Sequence, residues 1–108
     1  MSIDALWHLS PIPGGFTMQR PGGPIAHTIL WEEVQEIRTY KVDLFAYDEI
    51  CLAFQTPAGW HEIEESDAGF MEVAKRMEAA FLELPRNWYS AVAVPAFEPC
   101  EAVLYRRG

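Results

Sequence analysis

Basic residues are scarce in this sequence: eight Lys and Arg stand against sixteen Asp and Glu among 108 residues, a net charge of −8. A surface of that sign repels phosphate backbones and anionic headgroups, so neither nucleic acid nor a membrane is expected as a partner. Cysteine is scarcer still. Cys51 and Cys100 are too few and too far apart for a disulfide framework or a zinc site. No apolar run approaches ~20 residues, so no transmembrane span is expected. The opening residues MSIDALWHLS lack a basic stretch and carry Asp4 inside their apolar segment, which argues against a secretory signal. Cytoplasmic residence is the expectation. Motifs are missing too: no GxxxxGK[ST], GxGxxG or HExxH occurs and no Lys follows either PGG. Neither a phosphate cradle nor a helix-borne metal pair is therefore read here, and no cofactor, metal or catalytic residue is expected.

What is present is apolar: half of the residues, enough for one hydrophobic core in a single domain over 1–108. Residues 1–24 crowd Pro11, Pro13, Gly14, Gly15, Pro21, Gly22, Gly23 and Pro24 into two PGG turns, with Phe16 to Arg20 as a short strand between them. Residues 25–84 read as sheet plus helix, and 85–108 as an aromatic, Pro-spaced tail. Along 39–45, Tyr40, Val42 and Leu44 alternate with Thr39, Lys41 and Asp43, the period of a half-buried strand. Asp48 and Glu49 read as a turn, after which Ile50, Leu52 and Phe54 alternate with Cys51, Ala53 and Gln55. Pro57, Ala58 and Gly59 then turn the chain. Trp60 to Glu64 reads as a third strand with Trp60 and Ile63 inward, a spacing of three that requires a bulge.

A helix is expected from about Ala68 to Leu84, stopped by Pro85. Phe70, Val73, Ala74, Met77, Phe81 and Leu84 fall on one stripe at 100° per residue. Ser66 or Asp67 is placed to accept from the free N–H groups of its first turn. Pro95 and Pro99 exclude a central strand beyond it, leaving Ala102 to Arg106 for an edge strand. The expected fold class is α+β: a strongly bent antiparallel sheet, or open barrel, of five to seven strands with one helix packed on it and an extended C-terminal tail.

The segments ILWEEVQEI at 29–37, YKVDL at 40–44, DEICLAF at 48–54, GFMEV at 69–73 and WYSAVAVPAF at 88–97 resemble an uncharacterised group of small bacterial proteins similar to pleckstrin-homology (PH)-like domains. The resemblance covers roughly residues 25–105 and implies an open barrel whose end is plugged by the helix. Members that bind phosphoinositides present basic loops, whereas Arg20, Arg38 and Lys41 stand among acids here. The resemblance thus implies a fold and no ligand set.

Trp60, His61, Glu62, Glu64, Glu65 and Asp67 form the densest polar cluster. On a strand His61 and Glu62 point to opposite faces, so a solvated strand and a charged helix start account for the cluster better than a metal or acid–base site. A functional patch here would be an acidic protein-binding surface. Trp88, Tyr89 and Phe97 are added as candidate binding residues, because an aromatic tail either wraps the domain or meets a partner. The leading expectation is a non-enzymatic protein-binding module of the immunity or regulatory type, with a basic protein partner. Two alternatives stand beside it: a small enzyme using His61 and Glu62 in a pocket between sheet and helix, and a homodimer joined through an edge strand or the tail.

Overall fold

The computed structural model describes residues 6–43, 48–93 and 100–107. Within them the elements run β1 (His8–Ile12), β2 (Gly15–Gln19), β3 (Ile25–Leu30), a 3-10 turn (Trp31–Glu33), β4 (Glu36–Asp43), β5 (Asp48–Thr56), β6 (Gly59–Glu64), α1 (Phe70–Ala80), α2 (Trp88–Ala93) and β7 (Cys100–Arg106). The chain is α+β. The seven strands among the described residues form two antiparallel sheets, ordered β1-β2-β3 and β6-β5-β4-β7, which do not close into a barrel.

Both PGG triplets lie at hairpin turns, so the N-terminal segment is a sheet rather than a run of turns. Gly15 is obligatory there: a Cβ would stand 2.0 Å from the Ile29 carbonyl oxygen on the neighbouring strand. Phe16 and Phe54, with ring centroids 5.4 Å apart, join the inner faces of the two sheets, and Trp31 packs 5.5 Å and 5.9 Å from them at the corner.

The helical stripe is buried in full: Phe70, Val73, Ala74, Met77, Phe81 and Leu84 all lie in the core. The helix itself is shorter than 68–84, because Phe81 leaves helical geometry and the stripe continues on an irregular turn. Its N-cap is Gly69 at φ +91, with no side-chain cap; a Cβ there would meet the Leu9 carbonyl oxygen at 2.2 Å. Asp67 caps nothing in α1. Its carboxylate accepts from the Trp7 N–H at 2.8 Å and the Glu64 N–H at 2.7 Å, tying the approach to β1 onto the end of β6. The C-terminal segment is not an extended tail: α2 seats Trp88 and Val92 in the core, and β7 joins β4 as an edge strand.

Two further expectations change. Asp48 and Glu49 open β5 rather than form a turn. In β4 the polar set faces inward: Thr39 and Lys41 are 1% and 3% exposed, while Val42 is 37% exposed. Register is the reason, since Ile37, Thr39 and Lys41 lie opposite Phe54, Leu52 and Ile50, and the strongly apolar face of β5 takes its partners inside with it. The buried polar groups of Thr39 and Lys41 find partners. Thr39 Oγ1 donates to the Cys51 carbonyl at 3.0 Å; Lys41 Nζ donates to the Ala93 carbonyl at the end of α2 at 3.1 Å and lies 3.5 Å from Asp48.

Candidate functional site

The residues pointing away from the core on the four-stranded sheet form its outer face. Pairing sets Tyr40, Cys51 and Glu64 in one row, Arg38, Ala53 and Glu62 in the next, and Glu36, Gln55 and Trp60 in a third. β7 adds Glu101 beside Tyr40 and Val103 beside Arg38. Ala53 is the shallow point. Above it a cleft of about 160 Å³ opens between Arg38, Tyr40, Trp60, Glu62 and Glu101.

This face is braced by its own polar contacts. The Tyr40 hydroxyl donates to Glu62 Oε2, and burial together with that bond pushes its pKa up. The Arg38 guanidinium donates to Glu36 and stands 5.4 Å from the Trp60 ring centroid, a cation–π distance. Arg38 and Arg106 hold the Glu36 carboxyl below its ordinary range. Under this layer the Cys51 thiol is buried, and desolvation with the nearby Glu64 charge pushes it up to about 12, so it is not a poised nucleophile.

Trp60, Glu62 and Glu64 share the outer face. Trp60 is 44% exposed and does not point inward as the sequence suggested; the β5–β6 register is regular and needs no bulge. His61 takes the opposite side, at the rim between the two sheets. Its Nε2 lies 3.3 Å from Thr56 Oγ1, and its ring centroid is 5.0 Å from that of His27, which packs 5.6 Å from Trp7. A second cleft of about 320 Å³ lies at this rim, with Met18, Ala58, Trp60 and Glu62 also in its wall, so His61 and Glu62 border one cleft although they leave the strand on opposite sides. Burial first, and the His27 imidazole next, hold the His61 pKa below its ordinary value. The cleft between helix and sheet is a separate place, lined by Thr39, Pro85, Trp88, Val92 and Leu104 among others, with neither His61 nor Glu62 in its wall.

Glu65 and Tyr89 meet, the hydroxyl donating to Glu65 Oε2; that bond, with burial, pushes the Tyr89 pKa up to about 12. Trp88 is a core residue whose indole N–H donates to Glu78 Oε2 at 2.7 Å. Phe97 lies outside the described residues. Part of the acidic cluster is therefore structural. Glu49 accepts from the Ser66 N–H at 2.6 Å and its hydroxyl at 2.8 Å, and the buried Asp67 holds two N–H groups. Burial outweighs those bonds and raises the Asp67 pKa, as burial and then Asp67 raise that of Glu64.

Sequence reasoning missed Arg38, Tyr40, Ala53 and Glu101. The first three were within reach, because pairing 39–45 with 50–55 in a tight hairpin sets Arg38 and Tyr40 on the side of Ala53 and Cys51. Glu101 arrives only through the β4–β7 pairing, which no local pattern announces. Among the described residues no three His, Cys, Asp or Glu side chains converge on a point where a metal ion would sit, and no helix is long and apolar enough to cross a membrane. No protein family, curated protein or solved structure matches the chain.

Proposed function

We propose that this chain is a non-enzymatic protein-binding module of the immunity or regulatory type, and that the outer face of β6-β5-β4-β7 receives a basic protein partner. One observation carries the reading: an exposed Trp60 stands over an open cleft flanked by Glu62 and Glu101, on the part of the chain that holds the whole acid surplus. Asp4 and Arg20 are the only charged residues before Glu32, so the entire net −8 belongs to residues 32–108. Glu36 on this face is matched by Arg38 and Arg106, which leaves Glu62, Glu64 and Glu101 as its acid surplus; a surplus of one sign steers an oppositely charged partner, and a half-exposed Trp in a cleft is the side-chain type that anchors such contacts.

The PH-like relation belongs to the same proposal. Two antiparallel sheets with a helix against their core support it. Cytoplasmic residence is likewise proposed, and the buried free thiol of Cys51 suits a reducing compartment.

The test is capture of basic proteins on the immobilised chain from cells that make it, eluted with rising salt. Retention that weakens with salt and is lost in Trp60→Ala and in Glu62→Lys supports the proposal. Retention that ignores salt, or survives both substitutions, refutes it.

A further inference from the structure

We infer that β3 is the pairing edge of an antiparallel homodimer, a contact independent of the basic partner proposed above. The two sheets present four edge strands: β1, β3, β6 and β7. An unpaired edge is a template for another strand unless charge, proline or a covering segment blocks it. β1 contains Pro11 and is bridged by Ala68, whose carbonyl accepts the Leu9 N–H at 2.8 Å. β6 carries Glu62 and Glu64, and β7 carries Glu101 and Arg106. β3, with the sequence IAHTIL, has neither charge nor proline, and its first four residues are exposed, Ile25 at 57%.

The backbone shows which groups wait at that edge. The Trp31 N–H bonds to the Gly14 carbonyl at 2.8 Å, so Gly14 and Trp31 are a hydrogen-bonded pair. Bonded and non-bonded pairs alternate along an antiparallel ladder, so Ile29 and His27 turn their N–H and C=O groups toward β2 while Thr28 turns its own toward the open side.

A second copy fits this edge better than an unrelated segment. Pairing about a twofold axis at Thr28 sets Thr28 against Thr28 and Ala26 against Leu30, every contact neutral against neutral. Charge points the same way. Two chains of net −8 repel across most of their surfaces, but residues 5–31 contain one charged side chain, Arg20. Joining through β3 extends the three-stranded sheet to six strands and keeps the acid-rich sheets on the outside.

Sedimentation equilibrium of the full chain at low and high concentration tests this. The wild type is expected to approach twice the monomer mass as concentration rises. Thr28→Pro removes the outward N–H without touching a bond to β2, and Thr28→Lys sets like charges at the axis; both are expected to stay monomeric with an unchanged far-UV spectrum. Val103→Lys on β7 is the control, expected to dimerise as the wild type does. If Thr28→Pro fails to fold, Thr28→Lys decides. A monomeric wild type, a Thr28→Lys dimer, or a dimer broken by Val103→Lys would overturn the inference.

Discussion

The three-stranded sheet and its turns contain one charged side chain, Arg20, whereas the four-stranded sheet presents Glu36, Arg38, Glu62, Glu64 and Glu101 outward and buries Lys41. The first sheet is held by shape. It depends on Gly15 passing against Ile29, on two Gly-containing turns and on four buried apolar side chains, Leu9, Phe16, Met18 and Ile29. The second is held by shape and by polar closure, since Thr39, Lys41, Glu49 and Asp67 are buried and each meets a partner on another element or strand. A small acidic domain can thus leave one sheet nearly neutral if the other disperses its acids among hydroxyls, backbone N–H groups and arginines. The pairing edge proposed above lies on the neutral sheet and the proposed recognition face on the charged one.

The most direct way to break both sheets at once is through the core they share with α1. Met77 is fully buried, so Met77→Asp should abolish the cooperative unfolding transition followed by circular dichroism. Cutting the joint between the sheets is milder: Phe54→Ala removes the ring that meets Phe16 and Trp31 and should cost about 3–5 kcal/mol by urea denaturation. Gly15→Ala strikes the neutral sheet alone. Its new Cβ collides with backbone and not with a flexible side-chain end, so a loss of about 3 kcal/mol is expected in the same measurement.

The rim between the sheets should respond to acid. His61 has its folded-state pKa held down by burial and by His27, so the unfolded chain takes up a proton first as pH falls. The stability this group supports is present above the ordinary histidine pKa and is lost as pH drops toward the lower folded value. The drop in urea midpoint between about pH 7 and pH 5 should therefore be smaller in His61→Gln than in the wild type. Smallest of all is Arg38→Ala on the outer face. Its side chain is 38% exposed, and Glu36 keeps Arg106 as a second partner when it is removed, so a change within about 1 kcal/mol is expected, together with a red shift of Trp60 fluorescence.

Legibility in the sequence followed the same division. The charged half was readable as a scaffold: the β5 and β6 segments, the hairpin turn at 57–59 and every residue of the helical stripe followed from spacing alone. The candidate site was half readable. Trp60, Glu62 and Glu64 stand out as a polar cluster, but the strand reading turns Trp60 inward with Ile63, and no local pattern separates the structural Asp67 from the surface acids. In the neutral half β1 was not visible, because Pro11 and Pro13 obscure an HLSPI strand that is completed by its partner β2.

By itself the sequence determined the elements with strong local periodicity and the side on which the net charge would fall, because rotation per residue and formal charge are properties of the chain and need no neighbour. The tertiary structure alone decided which face of β4 is buried, where β7 pairs and which carboxylates bind backbone. Those outcomes depend on what stands opposite: Ile50, Leu52 and Phe54 draw Thr39 and Lys41 inward through the β4–β5 register, and the Ala93 carbonyl meets the Lys41 ammonium only once α2 has docked.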